Sequence, residues 1–75
     1  MPPMSKKQQI VEYLLERIRS GELRPGDQLP TSPELSARFN ASLTPIRDAI
    51  DELKIRGYVK SVHGVGVFVA GEPPH

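Results

Sequence analysis

Apolar residues along this chain fall first at helical spacing and then, near the end, at the spacing of strands. From Ser5 to Ser20, Ile10, Val11, Leu14, Leu15 and Ile18 trace one helical face, doubled by its neighbour. Ser5 is placed to cap this helix, Gln8 three residues on completes a capping box, and Gly21 stops the helix. Arg24-Pro25-Gly26-Asp27 reads as a tight turn of the type II preference, with Pro second and Gly third. Gln28 and Leu29 follow as a very short strand, closed by Pro30.

A second helix begins at Thr31, which has capping-box spacing to Glu34, with Pro33 in the first turn. Leu35 and Phe39 share its inner face, and it ends near Asn40, a residue tolerant of the left-handed conformation. A third helix follows almost at once, with Ser42 as N-cap and Pro45 in its first turn. Ile46, Ala49, Ile50 and Leu53 form its apolar stripe, and Gly57 terminates it. The period then changes. Tyr58–Val62 and Val67–Ala70 are strand-like runs, and His63-Gly64-Val65-Gly66 supplies the hairpin turn between them. The expected class is α+β: three helices, a short strand and a C-terminal β-hairpin.

Composition narrows what such a chain does. At 75 residues it is one small domain, with 37% hydrophobic and 25% charged residues, which is globular usage. Ten Lys/Arg against nine Asp/Glu give a net charge of +1, so any attraction to nucleic acid must come from where charges sit. The chain has no cysteine, and hence no disulfide framework or thiolate metal site. No apolar run approaches the roughly 20 residues of a membrane span, and the N-terminus lacks the apolar core of a signal peptide. The expectation is a cytoplasmic binding module with no cofactor, not an enzyme.

The short join between helices two and three, around Asn40 and Ala41, is a helix-turn-helix signal. In that geometry the second helix of the pair enters the major groove, with its N-terminal residues toward base edges. Thr44, Arg47, Asp48 and Asp51 fall on the exposed side of helix three, with Lys54 at its edge. Arginine reads guanine O6 and N7 bidentately, and threonine bonds phosphate or touches a thymine methyl. Considered in isolation, Arg47 is better read as the i, i+4 surface partner of Asp51 than as a base reader. Other chemistry is poorly served. His63 and His75 are the only histidines, and no His/Asp/Glu cluster has ligand spacing. Gly64-Val65-Gly66 lies between strands, so it is no dinucleotide cradle, and Asp48, Asp51 and Glu52 are spread around their helix.

The chain resembles the N-terminal winged helix-turn-helix domain of the GntR family of bacterial transcription regulators. The resemblance runs over residues 5–70, through Ile18, Gly21, Leu23–Pro30, Glu34-Leu35, Ser42, Ile46–Ile50, Leu53, Gly57-Tyr58-Val59 and Gly64–Ala70. It implies a sequence-specific DNA-binding domain, a repressor, with helix three in the major groove and the wing in the minor groove. Arg47 becomes the base-reading arginine, Thr31 a phosphate contact at the helix-two cap, and Thr44 a backbone or base contact. His63 and Gly64, with Val65 and Gly66, occupy the wing tip.

Two positions depart from the family pattern. Pro33 stands where the family favours an arginine early in helix two. Leu43 stands where it favours one at the start of helix three, so apolar contact with a thymine methyl replaces guanine readout there. Lys6, Lys7, Arg38, Lys54, Arg56 and Lys60 are further candidates for phosphate contact. Residues 1–4 and 71–75 are expected to be disordered, the latter as a tail or the start of a linker. The resemblance also implies a C-terminal domain beyond this chain that forms a homodimer and binds a small effector, while the polar surface of helix one fits a monomer. The competing reading is a protein–protein module contacting its partner through Leu43 and Val65.

Overall fold

The computed structural model describes residues 4–71. Most of the segments expected to be disordered, residues 1–3 and 72–75 with His75 among them, lie outside the described part. The elements are α1 (Lys6–Arg19), α2 (Ser32–Phe39), α3 (Leu43–Ile55), β1 (Val59–Val62) and β2 (Gly66–Val69).

Each helix is delimited by the residues that local chemistry favours. Ser5 caps α1, its hydroxyl accepting the Gln8 N–H at 3.1 Å. The reciprocal half of the capping box does not form. The Gln8 side chain donates to Glu12 Oε1 at 2.9 Å instead, a charge-assisted bond one turn along. At α2 Thr31 Oγ1 accepts the Glu34 N–H at 3.3 Å, and the Thr31 hydroxyl donates to Glu34 Oε1 at 3.1 Å, so the two side chains bond each other directly. Ser42 is the N-cap of α3, but its side chain makes no capping bond. Pro45 occupies the third position of that helix, where the missing N–H would have been Ser42's donor.

The C-termini are equally defined. Asn40 ends α2 at φ 51°, in the left-handed region. Gly57, at φ 86°, ends α3: its N–H reaches the Lys54 carbonyl while that of Tyr58 reaches Leu53, the paired bonds of a Schellman motif.

The core lies between α1 and α3. Ile10, Val11, Leu14 and Leu15 of α1 meet Ile46, Ala49, Ile50 and Leu53 of α3. Leu29, Leu35, Ala41, Val59 and Val69 close it from the sides. The hairpin is antiparallel, with Val59 opposite Val69, Lys60 opposite Phe68, Ser61 opposite Val67 and Val62 opposite Gly66. β1 is one residue shorter than the expected strand, with Tyr58 outside it, and β2 is displaced by one, with Gly66 in the strand rather than the turn and Ala70 outside.

The expected short strand reduces to one bridge, Gln28 to Phe68, flanked by Leu29 N–H to Val67 O at 2.8 Å and Val69 N–H to Asp27 O at 2.8 Å. The turn before it forms as read. Asp27 N–H meets Arg24 O at 2.9 Å, and Gly26 takes φ 90°. β2 is therefore bonded on both edges, which fastens the hairpin to the segment leading into α2.

Candidate nucleic-acid interface

The turn between α2 and α3 is held from two directions. Ser36 Oγ donates to the Ala41 carbonyl at 2.7 Å, and Ala41 N–H returns to the Ser36 carbonyl at 3.3 Å. Lys6 Nζ donates to the Phe39 carbonyl at 2.7 Å, placing a cation at the C-terminal end of α2, where the helix dipole favours one. The start of α3 is thus fixed to both preceding helices.

That start carries four exposed side chains: Ser42, Leu43, Thr44 and Arg47. Leu43 is 57% exposed, although large and apolar. Among the described residues, the side chains of Ser42, Thr44 and Arg47 have no hydrogen-bond or ion-pair partner. The surface pairing of Arg47 with Asp51 does not form. Asp51 is 3.6 Å from Lys54 instead.

Charge divides the outer side of α3. At about 100° per residue, Leu43, Arg47 and Lys54 share one flank. Asp48 and Glu52 lie on the other, where with Lys7, Asp51 and Ile55 they line a shallow hollow. The basic flank can approach a polyanion, while the acidic flank repels it.

The wing tip is a four-residue turn closed by Val65 N–H to Val62 O at 3.0 Å. Gly64 sits third in it at φ 75°, a conformation costly for any residue with a Cβ. His63, Gly64 and Val65 are exposed, Val65 by 61%, and Gly66 is half-buried. Thr31 stands apart from both groups, at the head of α2. The Gln28 bridge nevertheless places the chain just before Thr31 alongside the wing.

Several basic residues singled out in the sequence have partners within the fold. Lys7 pairs with Glu52 at 3.0 Å, and Arg56 pairs with the same carboxylate at 3.3 Å. The Lys7 ammonium first, and Arg56 after it, hold the Glu52 carboxyl below its ordinary value. Arg38 lies 4.8 Å over the Tyr13 ring, and Arg56 5.6 Å over Tyr58. Among the described residues Lys60 has no such partner. The roles of Lys6 and Gln28 were not legible in the sequence, because each bonds a backbone carbonyl that only the tertiary fold brings near, and that of Ser36 depends on the geometry of the turn to Ala41. No three His, Asp or Glu side chains gather as a metal set among the described residues, and no helix there is long and apolar enough to cross a membrane.

Three helices with a hairpin bonded across the α1–α2 connection define the winged helix-turn-helix class. Residues 6–69 match the family model for bacterial regulatory proteins, gntR family, and the chain belongs to that family. The mannosyl-D-glycerate transport/metabolism system repressor MngR of Escherichia coli (strain K12) is 38% identical over 64 residues, which are 85% of this chain and 27% of that protein. The arabinose metabolism transcriptional repressor of Geobacillus stearothermophilus is 31% identical over 71 residues, 95% of this chain and 20% of that protein. The chain therefore spans about a quarter of the length of these curated relatives. Among solved structures, the N-terminal domain of AraR in complex with mutant ORR3 superimposes at a TM-score of 0.89 with 36% identity, covering 93% of this chain and all 100% of that one. The AraR DNA-binding domain in complex with operator ORR3 matches at 0.83 with 34% identity, covering 93% and 92%.

Proposed function

We propose that this chain reads operator DNA for a bacterial transcriptional repressor, with α3 in the major groove and the wing tip in the adjacent minor groove. The observation that carries the reading is Arg47: exposed, without a partner among the described residues, one turn into a helix whose start is fixed by Ser36 and Lys6. The relatives' names as repressors, and the operator complexes of AraR, support it.

Arg47 reads guanine, Thr44 contacts backbone or base, the Ser42 hydroxyl bonds phosphate, and Leu43 lies against a thymine methyl. His63, Gly64, Val65 and Gly66 enter the minor groove. Thr31 takes a phosphate at the head of α2, and the phosphate displaces the Glu34 carboxylate that the Thr31 hydroxyl now faces. Of the remaining cations, Lys54 and Lys60 serve the phosphate backbone. Lys6, Lys7, Arg38 and Arg56 serve the fold.

In the whole protein a further domain brings two such readers together on a two-fold operator and responds to a small effector in the cytoplasm. A single reader binds weakly, because linking two raises affinity by about a hundredfold or more.

The test is an amide chemical-shift titration of the chain with short DNA duplexes at two salt concentrations. The expected shifts cluster at Thr31, Ser42–Arg47 and His63–Gly66 and weaken at high salt. Absence of shifts, or shifts scattered over lysines, contradicts the reading. It would direct attention to the exposed Leu43 and Val65 as a contact for a protein partner.

A further inference from the structure

The wing tip contains two glycines, whose backbones have more conformational freedom than those of other residues. Gly64 has φ 75° and Gly66 has φ 149°, both outside the range other residues prefer. The Val62–Val65 bond closes the turn and Gly66 pairs with Val62 at the end of the ladder, but the Val65 carbonyl takes part in neither.

A side chain from another element occupies the gap. Gln28 pairs with Phe68, so it lies on the outer face of the hairpin with Lys60, Val62 and Gly66, opposite the buried Val59 and Val69. From there Gln28 Nε2 donates to the Val65 carbonyl at 3.3 Å. The Gln28 amide fills the space beside Gly66: a Cβ built on Gly66 overlaps Gln28 Nε2. The bond adds a restraint from outside the hairpin to the Val65–Gly66 peptide plane, beside the turn that carries His63 and Gly64. Val65 itself stays exposed, so the brace takes none of the tip's contact surface.

We propose that Gln28 is a positioning residue for the wing, setting the angle at which the tip meets the minor groove without touching DNA itself. The inference rests on the DNA-binding reading and deepens it. A tip ordered before binding loses less conformational freedom on binding, so the brace acts on affinity through the wing alone. It also joins the wing to the head of α2, since Gln28 lies three residues before Thr31. A phosphate seated at Thr31 and a minor groove at the wing are then read as one rigid unit.

The test compares the wild-type chain with Gln28→Met, which keeps side-chain length and lacks the N–H donor. Backbone heteronuclear NOEs are measured on the free chains. Hydroxyl-radical footprints for the minor groove and dimethyl sulfate footprints of guanine N7 for the major groove are then taken on a duplex that the wild-type chain has selected from a randomised pool. Gln28→Met is expected to lower the NOEs of Gly64–Gly66, leave the unfolding midpoint unchanged and lose minor-groove protection while keeping the major-groove footprint. Its affinity should fall about threefold to tenfold, the range of one exposed hydrogen bond. Unchanged protection at the wing overturns the proposal whatever the free chain does. A loss spread equally over the α3 footprint also overturns it, by making the role merely structural. A wild-type chain that selects no duplex removes the DNA-binding reading and this proposal with it. The free-chain NOEs would then still report whether the brace exists.

Discussion

The Ser36 hydroxyl donates to the Ala41 carbonyl at 2.7 Å, across the turn that separates the two helices of the DNA-reading motif. The Ala41 N–H answers at the Ser36 carbonyl, so a single residue of α2 satisfies both polar groups of Ala41. Ala41 is itself buried, and the bond is only partly solvated. Ser36→Ala leaves that carbonyl without its donor and is expected to cost about 1–2 kcal/mol of stability. Urea unfolding of the two chains measures this. Because the same bond aims the start of α3, affinity for DNA falls beyond what the stability change alone produces.

Glu34 stands between Thr31 and any phosphate. Its carboxylate accepts the Thr31 hydroxyl proton and places a negative charge at the helix end proposed to hold an anion. Glu34→Gln keeps a capping-box residue and removes the charge. The expected outcome is DNA binding tighter by about twofold to fivefold at low salt, with the gain shrinking as salt screens the site. Fluorescence anisotropy at two ionic strengths checks it. Equal binding at both would mean that Thr31 meets no phosphate.

Glu52 joins the first and third helices through Lys7 and ties in Arg56 near the end of α3. Its carboxyl titrates below the ordinary value of 4.5, chiefly because Lys7 bonds the charged form. A lowered folded-state pKa adds stability that is fully present above the unfolded-state value and disappears as pH falls through the folded one. Wild-type and Glu52→Gln chains should therefore differ most at neutral pH and converge in acid, below 4.5. Denaturant midpoints measured against pH test this. Parallel curves would show that the pair contributes nothing. Lys7→Ala should leave DNA binding unaltered, since that ammonium is committed to Glu52.

Much of this architecture was legible before any coordinates. The stripes Ile10–Ile18 and Ile46–Leu53, the caps at Ser5 and Thr31 and the stops at Gly21, Asn40 and Gly57 are local signals, and each sits where the sequence put it. The errors are local competitions decided by a neighbour. Gln8 turned to Glu12, Pro45 removed the donor that Ser42 would have accepted, β1 lost Tyr58 and β2 moved by one residue. Of the site, the exposed start of α3 and the wing tip were readable. That Lys6, Lys7 and Arg38 were engaged elsewhere was not, because their partners Phe39, Glu52 and Tyr13 are set by packing, whereas the Arg56 pair with Glu52 has the local i, i+4 spacing. The brace from Gln28 to Val65 joins positions 37 residues apart, about half the chain, and leaves no local trace.

The most direct test of the central claim is the affinity of Arg47→Ala for a duplex selected by the wild-type chain, set against its affinity for a scrambled duplex at the same salt concentration. The account predicts an unchanged unfolding midpoint and a loss of about 1–3 kcal/mol in discrimination between the two duplexes, concentrated at one guanine position. Discrimination equal to that of the wild-type chain would contradict it, because α3 would then not be reading bases through Arg47.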